Sequence, residues 1–261
     1  MEQLKTSGYA PVNGLDMYYE IHGEDSIPLV LIHGGGSTIE TTFGKTLPMF
    51  SRFSKVIAVE LQAHGRTSDR DAPETFEQDA DDVAALLKHL NVSKANFLGF
   101  SNGGTTTLQI AMRHPGIVNK LIVISALSKR AGMIPGFFDG MQHATLADMP
   151  EALKAGYLRV KPDESRLQVM FEKDVARMVN FKGIDDNDIA AIKAAVLFIV
   201  ADRDVITVEH TAEMSRLIQG ARLVVLPGTH GSFIGTEETG IKEGSKLPEI
   251  TVALVEEFLQ E

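Results

Sequence analysis

Short apolar runs recur along the chain at 29–32, 56–59, 95–98, 121–124, 196–200 and 223–226, interrupted only by Asn96. A strand with one wet face alternates apolar and polar positions, so runs of this kind predict strands covered on both faces, as in a mainly parallel sheet. Helical spacing lies between and after them, over 41–53, 76–90, 105–113, 208–218 and 247–259. In the second of these Val83, Leu86, Leu87 and Leu90 make one stripe to lay on the sheet. Near the start, two further runs, 9–12 and 17–21, flank Asn13-Gly14, a dipeptide that favours the positive φ angles of a tight hairpin turn. Strand and helix alternating this often predict a doubly wound α/β fold that opens with an antiparallel hairpin.

The alternation lapses over 128–193, where Met and Phe recur among Gly and Pro without a clear strand. That stretch is expected to be a helical cap, inserted within a single domain that runs 1–261 and covering the carboxyl edge of the sheet. Met133, Met141, Met149, Met170 and Met178, with Phe137, Phe138, Phe171 and Phe181, would either pack the cap or form a pliable apolar wall for an acyl or ring substrate. No internal repeat and no long linker stands out.

Composition narrows the function more than the fold. A net charge of −10 disfavours nucleic acid or an anionic membrane as a partner, since both need clustered Lys and Arg. With no cysteine there is no disulfide, no thiolate nucleophile and no Cys-ligated metal. The N-terminal residues lack the basic start and apolar stretch of a secretory signal, and no apolar run approaches the ~20 residues that span a bilayer. A soluble cytoplasmic protein is the expectation, with a small molecule as its partner; the oligomeric state is left open.

The most informative segment is Gly99-Phe100-Ser101-Asn102-Gly103, which follows a strand run and precedes a helical one. A serine at a sharp strand-to-helix turn has its hydroxyl exposed, and flanking glycines accept the crowded backbone. Three further segments leave strand ends. His33-Gly34-Gly35-Gly36 supplies a glycine-rich backbone whose N–H groups can face a developing oxyanion, with the N–H of Asn102 as the second donor. Ala201-Asp202-Arg203-Asp204 offers two acids that could fix the far nitrogen of a histidine, and Pro227-Gly228-Thr229-His230-Gly231 offers that histidine. His33, beside the glycines, is the rival base.

In the chain order Ser, Asp, His, each after its own strand, these segments resemble the α/β-hydrolase fold family. The likeness extends over essentially the whole chain and adds Glu60-Leu61-Gln62-Ala63-His64-Gly65-Arg66-Thr67-Ser68, similar to a structural loop of those enzymes, where Glu60 stands for the usual Asp. The histidine loop departs too, reading Gly-Thr-His where many relatives read Gly-x-Gly-His. The resemblance implies a mostly parallel eight-stranded sheet flanked by helices. It also implies Ser101 as nucleophile, His230 as base, Asp204 rather than Asp202 as the acid, Gly35 and Asn102 as oxyanion donors, and His33 as a loop-shaping residue.

No cofactor or metal is expected. The glycines are not followed by the Lys-Ser or Lys-Thr of a phosphate-binding loop, and Asp185, Asp186 and Asp188 read as a solvated helix start. The function expected is hydrolysis of a small or medium ester, thioester or related carbonyl compound through an acyl-enzyme. Carbon-carbon bond hydrolase, lactonase and cofactor-free perhydrolase are the related options. A serine nucleophile and the lack of Trp argue against haloalkane dehalogenase and epoxide hydrolase relatives. From a different class, a non-catalytic ligand receptor or scaffold is the alternative.

Overall fold

The hairpin expected at the start forms between β1 (Thr6–Val12) and β2 (Leu15–His22), which turn through Asn13 and Gly14 at φ of 46° and 83°. Both angles suit the right-handed twist of the flanking strands. The computed structural model describes residues 6–24, 26–240 and 243–261; the start of the N-terminal stretch read for a signal, residues 1–5, lies outside them.

After β3 (Leu29–Ile32) the chain makes two short helices, α1 (Ile39–Phe43) and α2 (Leu47–Phe50), then β4 (Val56–Val59), α3 (Phe76–His89), β5 (Ala95–Phe100), α4 (Asn102–Arg113) and β6 (Val118–Ile124). Next come α5 (Phe137–Gln142), α6 (Glu151–Val160), α7 (Glu164–Asn180) and α8 (Asp186–Ala190). The chain returns through β7 (Ala195–Ala201), α9 (Val208–Leu217), β8 (Arg222–Leu226) and α10 (Leu247–Gln260). The eight strands lie in the order β1-β2-β4-β3-β5-β6-β7-β8. β2 meets both β1 and β4 antiparallel, and every pairing from β4 through β8 is parallel.

The apolar runs alternate between two cores, as the period of two requires. Val30, Ile32, Phe97, Val123 and Phe198 pack with α3, α4 and α9, whereas Leu29, Leu31, Leu98, Ile124 and Ile199 pack with α1, α2 and α10. Each large apolar side chain buried this fully contributes about 1.5–3 kcal/mol by leaving water. β8 departs from the expectation of burial on both faces: Leu223 and Val225 lie on a face of this end strand that is left exposed, while Val224 and Leu226 on the other face pack with α10.

Two helix readings also change. The single helix expected over 41–53 is split at Gly44, whose N–H closes α1 on the Glu40 carbonyl at 2.9 Å, and Pro48 in the first turn of α2 restarts the helix. The helix expected from 105 begins at Asn102, immediately after Ser101. The stretch 128–193 falls in the connection from β6 to β7 and carries α5 to α8. Met149, Leu153, Tyr157, Leu167 and Met170 there form a small cluster of their own around Ala63. Asp163 caps α7 by accepting the Arg166 N–H at 3.1 Å. No helix among the described residues is long and apolar enough to cross a membrane.

Candidate active site

Ser101 is forced into a conformation that non-glycine residues rarely adopt, φ 55° and ψ −120°. Its N–H donates to the Ile124 carbonyl at the end of β6 (2.9 Å), while its own carbonyl accepts from Gly104 and Thr105 in the first turn of α4. Strain of this sort costs about 1–3 kcal/mol and persists only where the surroundings impose it. Here they do so through close backbone approach. A Cβ on Gly103 would lie 2.7 Å from the Ile32 carbonyl carbon, and nearer still to the carbonyl oxygens of Ile32 and His33. The absence of a side chain at 103 lets α4 start against the end of β3.

Across the top of the sheet, His230 Nε2 stands 3.0 Å from Ser101 Oγ, and His230 Nδ1 stands 2.6 Å from Asp204 Oδ1. The nitrogen facing Asp204 therefore carries the proton, and the one facing serine has a free lone pair. Asp204 is buried, and each of its oxygens has a further donor: the Ile206 N–H on Oδ1 at 3.1 Å and the Ser125 hydroxyl on Oδ2 at 2.6 Å. Burial raises the Asp204 pKa, but the bond and charge of His230 together with these donors outweigh it and hold the carboxyl below its ordinary value. Burial pulls His230 down; the bond to Asp204 and the negative charges of Asp204 and Glu238 reverse that and raise it. Phe100 packs against the His230 ring at a tilt, with centroids 4.7 Å apart.

Asp202 takes no part in this line. It is exposed at the turn after β7, and its carboxylate accepts the Gly228 N–H at 2.7 Å, tying the acid turn to the histidine loop. His33 is fully buried with both ring nitrogens engaged, Nδ1 on the Gly34 carbonyl (2.7 Å) and Nε2 accepting the Leu61 N–H (3.1 Å). His64 packs against its ring and accepts the Gly36 N–H at 3.2 Å, so the two imidazoles hold the glycine-rich loop from below. Glu60 also belongs to this scaffold: it accepts the Arg66 N–H at 2.6 Å and pairs with the Arg66 guanidinium at 2.7 Å.

Gly35 sits where a side chain would collide with the Asn102 amide and with the Asp174 carboxyl carbon, 3.1 Å away. Asn102 opens α4, so its N–H has no partner within the helix. Gly35 and Asn102 are thus neighbours, with the carboxylate of Asp174 beside them. Asp174 Oδ1 accepts the Asn102 side-chain amide at 3.0 Å and is paired with Arg177, whose guanidinium reaches on to Asp79 at 2.7 Å and Glu74 at 3.4 Å.

A cavity of about 280 Å³ opens over Ser101 and His230. Its walls carry Phe100, Met133, Phe137, Met141, Met149 and Met170, so the residues of 128–193 form much of its roof. Ser125, Asp174 and Glu238 were not singled out from the sequence. Ser125 sits at the end of its strand as Ser101 does and shares its positive φ, 49°, a placement that strand counting could have flagged. Asp174 belongs to no motif; only its i,i+3 pairing with Arg177 marks it.

A family model described as alpha/beta hydrolase fold matches residues 27–159, just over half of the 261-residue chain. The chain belongs to the α/β-hydrolase family. This α/β hydrolase is similar to serine hydrolase BPHL of Homo sapiens, 34% identical over 125 residues that make up 46% of the chain and 43% of that protein. It is also similar to AB hydrolase superfamily protein YisY of Bacillus subtilis (strain 168), 26% identical over 236 residues, 81% of the chain and 87% of that protein. The matched segment spans less than half the length of the first curated relatives. Among solved structures, the meta-cleavage product hydrolase from Pseudomonas fluorescens IP01 aligns over 98% of both chains with a TM-score of 0.77 and 20% identity. The enol-lactonase from Burkholderia xenovorans LB400 aligns over 97% of this α/β hydrolase and all of that chain, with a TM-score of 0.75 and 22% identity. These structures share its fold.

Proposed function

We propose that this α/β hydrolase is a serine hydrolase that cleaves a small or medium ester, thioester or related carbonyl compound through an acyl-enzyme. The observation that carries the reading is the continuous line Ser101 Oγ, His230, Asp204, with spacings of 3.0 and 2.6 Å at the floor of the cavity. His230 Nε2 takes the hydroxyl proton as Ser101 Oγ bonds to the carbonyl carbon, and Asp204 stabilises the resulting imidazolium. The oxyanion is met by the N–H groups of Gly35 and Asn102; one such donor is typically worth ~3 kcal/mol. His230 then hands its proton to the departing group, and a water molecule, activated in the same way, releases the acid.

The residues of 128–193 serve as the cap that excludes bulk water and shapes the acyl pocket. Relatives are named as serine hydrolases, a putative esterase/lipase and a putative carbamate hydrolase, which agrees with carbonyl chemistry without fixing the bond cleaved. The test needs no substrate: a fluorophosphonate probe followed by intact-mass measurement, with Ser101→Ala as control. One adduct on the native chain and none on the variant is expected. No adduct on folded protein would refute the reading.

A further inference from the structure

All three ionisable side chains in the wall of the cavity, apart from the base itself, are acids: Asp148, Asp174 and Glu238, the last with its pKa raised by burial. No lysine or arginine lines it among the described residues. Arg177, behind Asp174, has a side chain only 2% exposed and is committed to Asp79 and Glu74 as well. Asp174 is placed differently. Its Oδ1 is taken by Asn102 and Arg177, while no protein donor among the described residues reaches Oδ2, which abuts Gly35 beside the nucleophile. Glu238 flanks the other side of the site and is close enough to His230 to act on its charge. A carboxylate-bearing substrate would have to place its charge in a largely apolar space whose wall offers acids and no free cation, which low-polarity surroundings penalise. An ammonium or a strong hydrogen-bond donor would find a free carboxylate oxygen beside Gly35.

We propose that Asp174 and Glu238 make this cavity select carbonyl substrates that are cationic, or neutral with a donor group, and reject those carrying a carboxylate. This rests on the serine-hydrolase reading for the word substrate, but the selectivity belongs to the cavity and can be measured without turnover. Three ligands of matched size, 3-phenylpropylammonium, 3-phenylpropanol and 3-phenylpropanoate, would be titrated by calorimetry into the native chain, Asp174→Asn and Glu238→Gln. The native chain is expected to bind the ammonium at least about tenfold more tightly than the carboxylate, with the alcohol between them. Each variant narrows that gap, to about threefold or less in Asp174→Asn. Should Asp174→Asn fail to fold, Glu238→Gln carries the comparison, since its side chain supports no buried ion pair described above. Equal or tighter binding of the carboxylate, or a gap unchanged in every folded variant, overturns the proposal. An intact gap with no fluorophosphonate adduct would sink the hydrolase reading instead, and an adduct without the gap would sink the selectivity alone.

Discussion

Replacing Gly103 with alanine tests whether close approach of α4 to β3 is what builds the turn at Ser101. The added methyl would lie 2.7 Å from the Ile32 carbonyl carbon and closer to two carbonyl oxygens, against ordinary contacts of 3.4–4 Å. All three atoms are backbone of a strand end that is itself paired on both sides, so no rotamer can relieve the clash. Relief demands that α4 move off β3 by about 1 Å. Overpacking of this kind typically costs about 1–3 kcal/mol, partly offset by up to ~1 kcal/mol from the better helix propensity of alanine. The shift would also separate Asn102 from Gly35, and a 1 Å misplacement can slow reaction by ~100-fold. Urea unfolding and the rate of fluorophosphonate labelling read the two effects separately. Gly116→Ala is the control, because nothing lies within 4 Å of its new methyl. A Gly103→Ala protein as stable and as reactive as the native chain would show that the reasoning from close approach is wrong.

The raised pKa of His230 means that the free base needed to activate Ser101 is lost as pH falls at a value above the ordinary 6.5; the acid limb of kcat/KM should sit there. Asp204→Asn should cut kcat by about 10⁴-fold, and an unchanged rate would refute the assigned line. Asp204 is lowered, so it stabilises the fold above its unfolded value of 3.8, and that contribution is lost as pH falls through the folded pKa. Ser125→Ala removes the donor to Oδ2 and should cost about 1.5–3 kcal/mol at neutral pH, with a shallower loss on acidification, measured by urea titration across pH. Arg177→Met leaves Asp79 and Glu74 buried without their cation and should destabilise by about 3–5 kcal/mol in thermal or chemical unfolding.

The sheet was legible because a two-sided core writes itself as short apolar runs, and each of the six became a strand, including the one interrupted by Asn96. β8 was misjudged for a related reason: Leu223 and Val225 are as apolar as the central strands, and nothing local tells a strand that it will be the last. The position of Ser101 could be read because turn geometry needs Gly99 and Gly103 in fixed places. Choosing between Asp202 and Asp204 needed the family resemblance, since the two acids differ only in which way they face across one turn. Asp174 and Glu238 could not be found, because they reach the cavity from α7 and from the loop after His230 through tertiary packing that leaves no spacing rule behind.

The anchoring of α7 has a consequence for how molecules get in and out. Swinging that helix aside would tear the Arg177 guanidinium from Asp79 and expose a buried carboxylate pair, so it does not behave as a hinged lid. The yielding side of the chamber is the one made by Phe137, Met141 and Met149, on α5 and the turn before α6, where α5 has no buried residue to pin it. Entry on that side would be set by the side chains of Phe137 and Met141 and would leave α7 in place. The doorway would then stretch to fit the guest while the wall that carries Asp174 keeps its shape.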